Sequence, residues 1–109
     1  LTEVSKGMPA YSDEFFGPVA IVIRVKDAEE ALFVANDTEF GLGGSVWTTD
    51  IAKGERIAGE IRSGAVFVNG MTKSDPRLPF GGVGISGFGR ELSHYGIKEF
   101  VNIQTVWIK

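Results

Sequence analysis

Glu14 occupies an unusual setting for a loop acid. It precedes Phe15, Phe16 and a Gly17-Pro18 step, and a β-branched run follows directly. Pro18 fixes its own φ and Phe16 supplies an apolar anchor, so a carboxylate at position 14 is held in a narrow range of positions. A carboxylate can accept two hydroxyl hydrogen bonds at once, which suits a ribose diol. A solvated loop acid meets the same spacing, and both readings stand on the spacing alone.

Glycine is the second feature. The chain has 15 glycines in 109 residues, about twice the usual share. Five of them fall within residues 81–89. Gly82-Val83-Gly84-Ile85-Ser86-Gly87 matches the dinucleotide fingerprint G-x-G-x-x-G letter for letter. That fingerprint acts only where it directly follows a strand and opens a helix. Here Pro79-Phe80 precedes it, and Asn102 stands where the ribose-binding acid belongs. The dinucleotide reading is therefore rejected. Glycine lets a backbone take positive φ or approach another group closely. The loop thus threads past a ligand, or it is a tight turn packed on the core.

The remaining candidates are single residues. Asn69 ends an expected strand at a sheet edge, where open α/β sheets place their ligands; it orients a substrate or caps a turn. His94 lies between Ser93 and Tyr95 with no acid–thiol or acid–serine context, and reads as structural. Glu29, Glu30, Glu55 and Glu60 belong to solvated helix faces. With no cysteine and one histidine, the residues hold no disulfide, thiolate zinc site, thiol nucleophile or histidine-rich metal site. No metal is expected. A net charge of −3 argues against nucleic acid, which needs a basic face. No apolar run reaches the roughly 18 residues of a membrane span, and a cytoplasmic location is expected. The sequence opens at Leu1 and is expected to be a piece of something longer.

These residues need elements to hold them. Residues 19–25 form a nearly continuous β-branched run, which predicts a strand buried on both faces. A short strand is expected at 2–4. Asp27 followed by Glu30 is a capping-box pattern, and Ala28, Ala31, Leu32 and Ala35 recur at helical spacing up to Asn36. Residues 45–48 and 64–69 read as strands. Asp50 caps a helix between them, with Ile51, Ile57, Ala58 and Ile61 on one side. Gly54 and Gly59 weaken that helix by about 1 kcal/mol each relative to Ala. The expectation is an α/β fold: a parallel βαβαβ unit with right-handed crossovers. Residues 70–89 form a long irregular loop of the kind that is functional or disordered. Residues 90–97 suit a short helix. Residues 100–108 are apolar on both sides, so a terminal strand there needs cover from another chain or domain.

Five motifs occur in order: Glu14-Phe15-Phe16-Gly17-Pro18-Val19, Ala35-Asn36-Asp37-Thr38-Glu39-Phe40-Gly41-Leu42, Gly64-Ala65-Val66-Phe67-Val68-Asn69, Pro79-Phe80-Gly81-Gly82 and Ser86-Gly87-Phe88-Gly89-Arg90-Glu91. Together they resemble the C-terminal part of NAD(P)-dependent aldehyde dehydrogenases, across essentially the whole chain. The wording at 73–78 and 102–107 looks most like the succinate-semialdehyde dehydrogenase branch. The resemblance implies residues 1–98 as the C-terminal half of a catalytic domain. Residues 99–109 become a bridging, oligomerising strand. It implies that Glu14 binds the nicotinamide ribose hydroxyls of NAD or NADP, that Phe16 lies beside the nicotinamide, and that Phe80 lines the substrate tunnel. Ser74 or Arg77 contacts a substrate carboxylate on the same ground. Gly84 departs from the Lys that many members carry. The family's cysteine nucleophile, general-base glutamate, oxyanion asparagine and Rossmann domain lie outside these residues. The implied partners are a small aldehyde, the remainder of the enzyme and further copies of the subunit. The alternative is an inactive stand-alone fragment serving as an oligomerisation or interaction module.

Overall fold

Pro9 starts the first helix, α1 (Pro9–Ser12), in the computed structural model of the chain, which describes all 109 residues. Proline suits the first helical position, where its missing N–H would have no partner. The helix is a single turn, closed where the Asp13 N–H donates to the Pro9 carbonyl. The second helix, α2 (Ala28–Asn36), begins where the sequence predicts. The Asp27 side chain accepts from the Glu30 N–H at 2.9 Å. The Glu30 carboxylate reaches back to the Lys26 N–H at 2.7 Å, one residue earlier than an ordinary capping box. These elements belong to a first unit, Leu1–Glu39.

Residues 19–25 depart from expectation. They carry no strand. The Leu1 nitrogen donates to the Ala20 carbonyl, and the Val22 N–H donates to the Leu1 carbonyl at 2.9 Å. No strand runs alongside to take the other backbone groups, and a lone segment cannot form a ladder. Val19, Val22 and Val25 are exposed, so the two-faced burial predicted for them is absent. The short strand expected at 2–4 is absent too.

The second unit, Phe40–Lys109, holds the sheet. Strand β1 (Gly43–Val46) and strand β2 (Ala65–Val68) pair in parallel, from Gly43 opposite Ala65 to Val46 opposite Val68. Helix α3 (Ile51–Glu60) joins them, with the Asp50 side chain accepting from the Lys53 N–H at 3.0 Å. The expected βαβαβ unit is thus a βαβ unit of two strands. Gly54 explains itself here. It is buried, and a Cβ on it would stand 2.8 Å from methyl groups of Thr48 and Val68. The helix backbone lies on the sheet because that Cβ is missing. Gly59 meets open space. Ile57, Ala58 and Ile61 are half-buried, whereas Ile51 stays exposed.

Beyond β2, Asn69 takes a positive φ of 55°, which asparagine tolerates better than most residues. Its N–H donates to the Val46 carbonyl at 2.8 Å. Its side chain accepts from the Thr48 N–H and donates to the Thr48 carbonyl, both at 2.8 Å. The turn-capping reading of Asn69 therefore holds, because its amide is engaged with backbone.

Phe80 and Glu91 form an antiparallel bridge, each N–H donating to the other's carbonyl at 2.9 and 2.8 Å. The glycine-rich stretch is the loop between them, with one 3-10 turn at Gly84–Ser86. The last helix, α4 (Ser93–Lys98), begins later than expected, because Glu91 is held in the bridge. Leu92 makes the transition at φ 63°, a conformation costly for a branched side chain.

Residues 101–109 carry no regular structure, so the expected terminal strand is absent. Phe100, Ile103, Val106, Trp107 and Ile108 are each at least 74% exposed. Apolar groups on both sides need two covering layers, and no strand here pairs with this segment. The shortage of cover is general. Val4 is the single buried apolar residue. The chain exposes 8798 Å², against about 5,900 Å² for a self-contained folded protein of this mass.

The two helical glycines should respond oppositely to alanine. Gly54→Ala should destabilise the complete protein by about 1–3 kcal/mol, through overpacking. Gly59→Ala should stabilise it by about 0.5–1 kcal/mol, through helix propensity. Thermal or denaturant unfolding measures both, and a stabilising Gly54→Ala would refute the packing assigned here.

Candidate functional site

The Glu14 turn belongs to the first unit. Glu14 lies two residues past the end of α1 and is exposed. The chain then bends at residues 16–18. Gly17 has φ +152°, and the Val19 N–H donates to the Gly17 carbonyl at 2.8 Å. Phe16 is 95% exposed. It does not anchor the turn against a core; it presents its ring to the outside. Glu14 and Phe16 thus share one short turn, with a carboxylate and an aromatic ring both accessible. That arrangement fits a ribose carrying a flat heterocycle: two acceptor oxygens for the diol, and a ring surface for the base.

Asp37 ties down the segment that leads into this turn. It closes α2, its N–H donating to the Val34 carbonyl. Its carboxylate accepts from Lys6 Nζ at 2.9 Å on Oδ1 and 2.8 Å on Oδ2, and from the Tyr11 hydroxyl at 2.8 Å on Oδ2. Lys6 Nζ also stands 5.9 Å from the centre of the Phe33 ring. The hydrogen bond from Lys6, then that from Tyr11, lowers the Asp37 carboxyl pKa below its ordinary value. The same hydrogen bond raises the Tyr11 phenol. Sequence reasoning missed this cluster. Its members are 31 and 26 residues apart, and no local pattern joins them.

The second unit holds the other candidates. Phe80 lines an open groove of about 360 Å³, with Leu42, Phe88, Arg90, Glu99 and Phe100 among its walls. Arg90 Nη1 donates to the Gly82 carbonyl at 3.0 Å and to the Gly89 carbonyl at 2.6 Å. Ser86 Oγ accepts from the Gly41 N–H at 3.0 Å. These contacts fix the groove's floor. Ser74 is exposed in the long loop and does not line the groove. Arg77 is engaged locally. Its Nε and Nη2 donate to the two Asp75 oxygens at 2.9 and 2.7 Å, and its own N–H donates to Oδ1 at 2.9 Å. This bidentate pair holds the Asp75 carboxyl well below the usual carboxylate range. The Asp-Pro-Arg wording is an Asx-type turn signal that could have been read locally. His94 is exposed and tilted against Tyr95, with ring centres 4.2 Å apart.

The aldehyde dehydrogenase family model matches residues 1–106. This chain belongs to the aldehyde dehydrogenase family. It is 57% identical over 108 residues to a probable succinate-semialdehyde dehydrogenase [NADP(+)] of Synechocystis, covering 99% of this chain and 24% of that protein. It is 53% identical over 107 residues to a succinate semialdehyde dehydrogenase [NAD(P)+] of Escherichia coli, covering 98% of this chain and 23% of that protein. A crystal structure of succinic semialdehyde dehydrogenase from Streptococcus pyogenes, in complex with NADP+ as the cofactor, matches with a TM-score of 0.94 at 41% identity. That match covers 98% of this chain and 24% of that one. The chain therefore spans about a quarter of the length of these aldehyde dehydrogenases. The expected cofactor class, NAD or NADP, is the one these relatives carry in their names.

The Asp75–Arg77 pair gives a pH test with a definite sign. A carboxyl lowered in the folded state stabilises the fold above its unfolded pKa, near 3.9, and loses that contribution as pH falls through the lower folded value. Carbon-detected carboxylate titration of the complete protein should place Asp75 below the ordinary aspartate range. Arg77→Gln should move it back up. An unchanged Asp75 midpoint in that variant would show that Arg77 is not the cause.

Proposed function

We propose that this chain is the C-terminal segment of an aldehyde dehydrogenase that oxidises succinate semialdehyde to the carboxylic acid with NAD or NADP. The observation that carries the reading is the 57% identity to a succinate-semialdehyde dehydrogenase across 99% of the chain. The accessible carboxylate and ring at the Glu14 turn support it from the geometry.

Each residue then has a task. Glu14 accepts hydrogen bonds from the two hydroxyls of the nicotinamide ribose, and so holds that sugar at one distance from the turn. Phe16 lays its exposed ring beside the nicotinamide. The nicotinamide, when bound, supplies the acceptor for the aldehyde's hydride. Phe80 forms an apolar wall of the substrate tunnel, set by its bridge to Glu91. Ser74 offers a hydroxyl to the substrate's remote carboxylate. Arg77, already clasped by Asp75, is the weaker candidate for that contact. The apolar residues at 100–108 supply a strand only when another subunit pairs with them, which accords with a homo-oligomer. The 109 residues hold no cysteine, so the thiol step expected of the family must come from elsewhere in the enzyme. The isolated 109 residues should oxidise no aldehyde.

In the complete enzyme, Glu14→Gln should slow single-turnover hydride transfer by about tenfold or more while changing cofactor affinity much less. An unchanged single-turnover rate would remove Glu14 from this role. Ser74→Ala should lower kcat/KM for succinate semialdehyde about fivefold to tenfold relative to a neutral aldehyde of similar length. Equal losses on both substrates would argue against a carboxylate contact.

A further inference from the structure

We infer that Tyr11, through its hydrogen bond to Asp37, is a positioning residue for Glu14. The inference rests on the ribose-binding reading of Glu14 given above. Helix α1 is a single turn with no side-chain bond at its N-cap. A turn of that length does not hold itself in water, because helix nucleation is unfavourable. Something outside the turn must fix it, and Glu14 follows two residues after it.

Tyr11 provides that link. It is half-buried, it lies in α1, and its hydroxyl donates to Asp37 Oδ2 at 2.8 Å. Asp37 is itself fixed, because its N–H closes the C-terminus of α2. Helix α2 is held at its other end by the Asp27 cap and the Glu30 return. The chain of constraint therefore runs from a nine-residue helix, through one carboxylate and one phenol, to the turn that carries Glu14. Lys6 shares the same carboxylate, but it is 69% exposed. An exposed ammonium is a weak tether, so the phenol carries the positioning.

Four variants of the complete enzyme test this: Tyr11→Phe, Asp37→Asn, Asp37→Ala and Glu14→Gln, with the Tyr11→Phe/Glu14→Gln double variant. Tyr11→Phe keeps the ring and removes only the hydroxyl. In the cofactor-free enzyme it should increase hydrogen exchange about fivefold at the Tyr11 and Asp13 amides, which donate to the Met8 and Pro9 carbonyls. It should slow single-turnover hydride transfer by a similar factor, with cofactor affinity changed less than about twofold. Asp37→Asn keeps an acceptor for the phenol and should perturb both readouts less than Asp37→Ala does; equal effects of the two would overturn the inference, because the phenol's acceptor would not be what matters. The double variant should be no slower than Glu14→Gln alone, because a positioning residue has nothing left to position. Parent-like exchange and rate in Tyr11→Phe would overturn the inference. So would a double variant slower than Glu14→Gln by the full Tyr11→Phe factor, since Tyr11 would then act independently of Glu14. If Tyr11→Phe does not fold, Asp37→Ala replaces it in the same cycle, with the same exchange and non-additivity expected. If Glu14→Gln alone keeps the parent rate while Tyr11→Phe speeds exchange at Tyr11 and Asp13, the ribose-binding reading fails and the mechanical link stands without its functional consequence.

Discussion

An apolar segment becomes a strand or a core face only where another element covers it. Between helix and strand these residues supply such cover in one place, where α3 lies on the β1–β2 pair. The contact depends on an absence. Gly54 leaves the helix backbone open to the methyl groups of Thr48 and Val68, so helix and sheet meet without a Cβ between them. Every other apolar run lacks a second layer. Residues 19–25 have the composition of a central strand and no neighbouring strand. Residues 100–108 have apolar groups on both parities and no strand beside them. Composition sets what a segment could become, and the supply of partners decides what it does become. An accessible area of 8798 Å² expresses the same shortage in a single quantity.

The glycine-rich loop shows a different use of missing side chains. Its first residues run against the backbone of the βαβ unit. A Cβ on Gly64 would collide with the Gly81 carbonyl oxygen. The Gly41 carbonyl accepts from both the Gly64 and the Val83 N–H groups, each at 3.0 Å. Inside the loop, the Ser86 N–H donates to the Val83 carbonyl and the Gly87 N–H to the Gly84 carbonyl. A phosphate cradle needs N–H groups turned outward and unpaired. Here several of them already have protein acceptors. The letters G-x-G-x-x-G therefore answer to local turn geometry: Gly82 packs closely on Ser86, and Gly84 and Gly87 take positive φ of 61° and 127°.

What could be read from the sequence followed the range of the interaction. The Asp27 and Asp50 caps were legible because donor and acceptor lie three residues apart, a distance fixed by helix geometry. The two strands that flank α3 were legible from their apolar runs, within a residue or two of their ends, and so was their parallel pairing. Gly54 was read as a weakness in the helix, because its compensation comes from Thr48 and Val68 across the layer. The strand at 19–25 was over-read, since periodicity reports the demand for burial and not its supply. Of the candidate site residues, Glu14 has a place in a tight bend that was legible from its glycine and proline neighbours. The position of Phe16 was not: an anchoring ring and a presented ring have the same sequence.

Asp37 shows most clearly where local reading stops. Along the chain it is one acid following a helix stop, in the run Asn36-Asp37-Thr38. In space its carboxylate receives an ammonium and a phenol from residues 31 and 26 positions earlier. The two donors are not equivalent. The ammonium is long, flexible and exposed, and its attraction is screened by water and salt. The phenol sits on a rigid ring that is half-buried, so its one hydrogen bond defines a position as well as an energy. The carboxylate's lowered pKa follows chiefly from the ammonium, while the geometry of α1 follows chiefly from the phenol. The group that dominates the titration is therefore not the group that dominates the structure.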